Sequence, residues 1–264
     1  MKKMLYILIV PLVLYFIIML FFYKMQESFL FHPVKTEANF KYQFPNTFEE
    51  KYFETPNNGN IHGLYFNAEK SKGIVLYWHG NAGNLEDWAW VYQNFVNLNY
   101  DVLVLDYRKF GKSTGNWSEE NFINDAQYVY NELKKNYKEN EIVIYGRSIG
   151  TGIATQLAAN NQPKALILET PYYSIEDLAK RMLPIFPVKY LLKYRFESNL
   201  FITKVSAPIY ILHGTKDNVV PYKSGKKLYN LVKQNTRFTT FEAGTHSNLA
   251  TYSLYHSLLQ EILA

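Results

Sequence analysis

The sequence predicts an α/β fold, a mainly parallel twisted sheet of about eight strands with helices on both faces. Three observations predict it. Short apolar runs recur at residues 73–78, 101–106, 142–145, 165–169 and 208–212, as strands covered on both faces require. Stretches of helical pattern at 85–98, 118–137 and 149–159 alternate with them. His79, Asp106, Ser148, Glu169 and His213 all fall at the carboxyl ends of these runs, where ligands gather in open α/β sheets.

The elements follow in order. Lys2 and Lys3 precede an almost unbroken apolar stretch, residues 4–23, about the length that crosses a bilayer as a helix. Pro11 is tolerated there. Phe21-Phe22-Tyr23-Lys24 is bulky and then charged, unlike the small residues of a cleavage site, so residues 1–25 read as an uncleaved signal anchor. A single-pass membrane protein is expected, with Lys2 and Lys3 in the cytoplasm and the following domain on the non-cytoplasmic side, although Lys24 and Lys35 weigh against that orientation. Residues 26–48, with Pro33 and Pro45, read as a linker onto a single α/β domain spanning 49–264.

That domain opens with an antiparallel pair, 50–54 and 61–66, joined through Pro-Asn-Asn-Gly-Asn. The strand at 73–78 runs into the loop His79-Gly80-Asn81-Ala82-Gly83-Asn84, and Asn84 is placed to cap the next helix. After the strand at 165–169 the connection 170–207 is longer than the others. Its short helical piece at 174–181 and its apolar residues Leu183, Ile185, Phe186, Val188, Leu191 and Leu192 fit two readings, a small cap over a site or a segment packed onto the sheet. The strand at 236–241 is more polar and edge-like.

At 264 residues and 48% hydrophobic, the chain can bury one full core. Its net charge of +5 is scattered, without a basic run or nucleic-acid motif, which argues against a nucleic-acid partner. Cysteine is absent, so disulfides, thiolate catalysis and Cys-ligated metals are excluded.

The chemistry centres on Gly146-Arg147-Ser148-Ile149-Gly150, a G-x-S-x-G turn from an apolar strand straight into a helix. Gly146 and Gly150 leave out side chains that would collide in so sharp a turn, and Ser148 is presented at the helix N-terminus. A second copy, Gly111-Lys112-Ser113-Thr114-Gly115, lacks that strand–helix context, which favours Ser148. A serine hydroxyl needs a base, and an acid to orient it. Of His213, His246 and His256, His246 lies in the loop after the last strand and is the candidate base. Asp217, in the turn leaving the penultimate strand, is the candidate acid, with Glu169 as its rival. The backbone N–H groups of Ile149 and Asn81 are candidate oxyanion donors, Gly80 allowing close backbone approach, while His79 reads as a structural support of that loop.

These stretches, together with Asp106-Tyr107-Arg108, Glu169-Thr170-Pro171, 213–221 and 244–248, resemble the α/β-hydrolase superfamily of serine hydrolases, in the same order along the chain. The chain looks like the membrane-anchored ABHD-type group related to depalmitoylases, and more loosely like serine aminopeptidases. Lys109 departs from a glycine frequent in the family. The resemblance implies hydrolysis of esters, thioesters or amides through an acyl-enzyme, with no metal or organic cofactor. The expected substrate is a small or lipid-like acyl compound near a membrane. An aminopeptidase and an inactive scaffold that keeps the fold are the alternatives.

Overall fold

The computed structural model describes the backbone of residues 2–264 and the side chains of residues 9–264. Eight strands form one sheet: β1 (Phe48–Thr55), β2 (Gly59–Phe66), β3 (Ile74–Trp78), β4 (Asp101–Leu105), β5 (Ile142–Arg147), β6 (Ala165–Glu169), β7 (Ile209–Gly214) and β8 (Thr236–Phe241). Their spatial order is β8-β7-β6-β5-β3-β4-β2-β1. β1 and β2 pair antiparallel, β2 joins β4 antiparallel, and every other neighbouring pair is parallel. The order reverses around β3, so the loops after β3 and β5 meet at one end of the sheet.

Alternation along the central strands builds a core on each face. Ile74, Leu76 and Trp78 of β3 and Ile142 and Ile144 of β5 join one buried cluster. Val75, Tyr77, Val143 and Tyr145 point into the other. Helix α2 (Glu119–Leu133) and α3 (Gly150–Ala159) cover the first face, and α6 (Ser253–Ile262) packs on the second. Between β6 and β7 lie α4 (Ile175–Met182) and several single helical turns; α5 (Tyr222–Tyr229) separates β7 from β8.

Three boundaries differ from the sequence reading. The N-terminal helix α1 runs from Lys2 to Leu30, five residues beyond the expected end at 25. Lys24–Leu30 contains no helix breaker, and the helix stops only where Pro33 disfavours helical geometry at His32. Residues 31–46 are no free linker, because Phe31 and Tyr42 are buried in the body of the domain and His32-Pro33 pairs with Ala82-Gly83. The segment 85–98 is not one helix. It breaks into turns at Leu85–Trp88, Ala89–Tyr92 and Gln93–Val96. The middle turn is 3₁₀, which eclipses residues three apart and buries both Ala89 and Tyr92. Asn84 does cap the segment, accepting from the Glu86 N–H at 2.9 Å.

Candidate active site

β5 passes into α3 through Ser148, whose φ is +53°, a left-handed conformation that a serine adopts only when its surroundings impose it. Those surroundings are backbone. A Cβ on Gly150 would sit 2.3 Å from the Trp78 carbonyl oxygen, and one on Gly146 would sit 2.6 Å from that of Gly150. The Ser148 N–H donates to the Glu169 carbonyl at 3.0 Å, and the Thr151 hydroxyl donates to the Ser148 carbonyl at 2.6 Å, holding the turn from both sides.

The structure brings Ser148, His246 and Asp217 into one line. His246 Nε2 lies 2.9 Å from Ser148 Oγ and its Nδ1 lies 2.8 Å from Asp217 Oδ2. A carboxylate can only accept, so Nδ1 carries the proton and Nε2 is free to accept from the serine hydroxyl. Asp217 Oδ1 also accepts the N–H groups of Val219 and Val220, at 2.9 and 2.8 Å. Burial alone would raise this carboxyl. The hydrogen bonds of His213 and His246, then the charge of His246, outweigh it and hold Asp217 well below the usual carboxylate range.

His213 lies beneath the acid. Its Nε2 donates to the Val220 carbonyl at 2.9 Å and stands 3.4 Å from Asp217 Oδ2. His256 is exposed and its Nε2 lies 2.9 Å from the Ala250 carbonyl, away from this line. Glu169, the rival acid, is buried and engaged elsewhere: Tyr145 OH donates to it at 2.6 Å and Arg147 Nε lies 3.3 Å away.

Among the described residues, neither the Ile149 nor the Asn81 N–H donates a backbone hydrogen bond. Asn81 is anchored instead by its side chain, which donates to the Leu30 carbonyl at 3.0 Å. His79 is fully buried, with Nδ1 2.6 Å from the Gly80 carbonyl and Nε2 3.4 Å from Asp106 Oδ1, and its ring stacks on Trp88. Gly80 lies against the same Trp88 ring, 2.9 Å from where a Cβ would stand. Ser113, in the second G-x-S-x-G, is buried and engaged with other partners; it donates to the Asp106 carbonyl and accepts the His62 N–H, both at 2.8 Å. Lys109 takes φ +65°, the conformation a glycine would adopt without strain, so the loop keeps its path. Among the described residues, no group of three or more His, Asp or Glu side chains could hold a metal ion.

The family model for serine aminopeptidases, S33, matches residues 69–200, half of the chain. The chain belongs to this family of α/β-hydrolases. Within that superfamily it is 36% identical over 187 residues to the lysophosphatidylserine lipase ABHD12 of Danio rerio, covering 63% of this chain and 49% of the relative. The Rattus norvegicus lipase of the same name is 35% identical over 191 residues. The chain spans about half the length of these curated relatives. It also matches an uncharacterized protein of Acanthamoeba polyphaga mimivirus at 31% identity over 251 residues, 83% of that protein. The α/β-hydrolase fold is shared with the Pyrococcus furiosus esterase Pf2001, with a TM-score of 0.71 at 19% identity over 88% of this chain and 98% of that one.

Two contributors to this candidate site had only faint sequence signals. Arg147 occupies the variable position of the elbow, where a basic side chain next to an apolar strand was the one hint of its pairing with Glu169. Leu30 lay in the expected linker, with nothing local to link it to Asn81.

Proposed function

We propose that this protein is a serine hydrolase of carboxylic esters or thioesters, acting on acyl substrates at a membrane. The observation that carries the reading is the hydrogen-bonded line Ser148–His246–Asp217 with Ser148 in a strained turn at the start of α3. In it, Ser148 Oγ attacks the acyl carbonyl while His246 Nε2 takes its proton, and Asp217 holds the tautomer and stabilises the imidazolium. The uncommitted N–H groups of Ile149 and Asn81 donate to the oxyanion. His246 then protonates the leaving group and activates a water that releases the acid.

Helix α1 supports the membrane setting. Its span Ile9–Leu30 has a mean hydropathy of 1.9 and only 6% of its most apolar window is buried, too little for a core helix. We place the catalytic domain on the non-cytoplasmic side; the Lys2 and Lys3 side chains that suggest it lie outside the described side chains. The names of the relatives support a single-chain phospholipid ester as substrate. The peptidase reading draws on the description of the family model. A panel of acyl esters, acyl thioesters and aminoacyl arylamides separates the two.

Fluorophosphonate labelling of the full-length protein, read by peptide mass spectrometry, tests the reading. A label on Ser148 that Ser148→Ala abolishes supports it. A folded protein that takes no label and turns over no ester would leave the scaffold alternative.

A further inference from the structure

Helix α1 is docked along the segment between β6 and β7. The Tyr15 hydroxyl donates to the Ile185 carbonyl at 3.1 Å, and its ring stacks on Phe186 with centroids 5.0 Å apart. Lower down, Gln26 Nε2 donates to the Leu191 carbonyl, Gln26 Oε1 accepts the Lys193 N–H at 2.7 Å, and Tyr194 OH donates to Glu27 Oε1 at 2.9 Å. At 1.5 Å per residue, Tyr15 lies about 22 Å along the axis from Leu30. The tip of this segment therefore reaches past the middle of the apolar span Ile9–Leu30, as a cap over the site would. The side chains it leaves bare suit that depth: Met182 is 81% exposed and Ile185 73%.

Between α1 and the cap lies a cavity of about 420 Å³. Phe22, Phe29 and Leu30 form one wall, and Leu178, Leu183 and Leu192 the other. Gln26 is the one polar residue lining it, and both polar atoms of its side chain are taken by backbone partners. Apart from Gln26 and the Met182 thioether the lining is hydrocarbon, and the volume falls within the range of about 300–1,000 Å³ usual for small-molecule sites. Leu30, in the first wall, ties the cavity to the candidate site: its carbonyl accepts the side-chain amide of Asn81, whose backbone N–H is a candidate oxyanion donor.

We propose that this cavity holds the hydrocarbon chain of a single-chain acyl ester, which enters sideways from the bilayer between α1 and the cap while its carbonyl reaches Ser148. The proposal rests on the acyl-hydrolase reading above. A methylene is close in size to a water, whose share of liquid volume is about 30 Å³, so the cavity takes roughly a dozen carbons of one chain. A tightly packed two-chain lipid would have to leave its second chain outside. Each methylene that enters contributes about fourfold in affinity.

The test uses the full-length protein in phosphatidylcholine vesicles. With p-nitrophenyl esters of two to sixteen carbons, kcat/KM is expected to climb with chain length and level off near twelve. Ala179→Trp fills the cavity from α4 and is expected to lower the ratio of dodecanoate to acetate kcat/KM by at least tenfold. A second measurement does not need turnover or that variant. A dodecanoyl ester carrying a terminal diazirine is photolysed with Ser148→Ala protein, and the labelled peptides are identified. Labels within 22–30 and 175–192 support the proposal. Labels elsewhere, or a chain-length profile that Ala179→Trp leaves unchanged, overturn it. If no ester is hydrolysed yet those peptides are labelled, the hydrolase reading fails and the chain-binding cavity stands.

Discussion

The Arg147 guanidinium, one residue before the nucleophile, lies 3.3 Å from Glu169 Oε1 and takes up the carboxylate that could otherwise have competed with Asp217 for the histidine. Glu169 is 2% exposed, and Arg147 also donates to the His246 carbonyl at 3.3 Å, so this pair ties the elbow to the loop that carries the base. Burial, reinforced by the charge of Glu169, pushes the neighbouring Tyr145 hydroxyl well above its ordinary value and keeps it a neutral donor.

Glu169→Gln is therefore expected to cost stability, about 3 kcal/mol, by leaving Arg147 without its counter-charge. Its kcat/KM should stay within about tenfold of wild type, since the His246 orienter is untouched. Denaturation curves and ester kinetics on the same preparation check this. A thousandfold loss of kcat would instead make Glu169 the acid.

Asp217→Asn is expected to lower kcat by roughly 10³–10⁴, because an amide no longer demands the Nδ1 proton of His246 and does not stabilise the imidazolium. The same change has a pH signature. The Asp217 carboxyl is depressed in the folded state, so its contribution to stability is fully present above the ordinary aspartate value, about 3.9, and is lost as pH falls through the lower folded value. The Tm difference between wild type and variant should be constant from pH 8 to about pH 4.5 and shrink below that. A gap that widens on acidification would contradict the assignment.

The two G-x-S-x-G serines should separate cleanly. Ser148→Ala is expected to abolish ester turnover with little change in Tm. Ser113→Ala removes a buried hydroxyl that serves the Asp106 carbonyl and the His62 N–H, which costs about 1–3 kcal/mol while leaving fluorophosphonate labelling intact. Thermal melts alongside labelling distinguish the two outcomes.

Gly150→Ala should fail for steric reasons. The added methyl would lie 2.3 Å from the Trp78 carbonyl oxygen and 2.7 Å from that of His79, both backbone atoms with nowhere to retreat. We expect at least about 3 kcal/mol of destabilisation and a displaced Gly80-Asn81 loop, seen as lost turnover even in the fraction that folds. A variant with wild-type Tm would show that the elbow is looser than this packing requires.

Much of the architecture was legible in local pattern. Buried strands such as 142–145 and 165–169 announce themselves because both faces are covered and every residue before the terminal Glu169 is apolar. The elbow was legible because only two glycines around a serine permit that turn, and His246 and Asp217 because loops at strand ends are where side chains can converge. The broken helix at 85–98 was not legible, since its apolar residues suit a helical and a 3₁₀ spacing alike, and only burial of Ala89 with Tyr92 decides between them. His213 was one of three histidines until its place under Val220 and Asp217 was known.

Sequence by itself determined the fold class, the long apolar helix and the residues of the candidate triad, because each is written in spacing over a few neighbouring positions. Tertiary structure alone decided that α1 continues to Leu30, lies through Tyr15 against Ile185 in the segment between β6 and β7, and lines a largely apolar cavity with it. Periodicity reports which face of an element is buried; it carries no record of which distant element buries it.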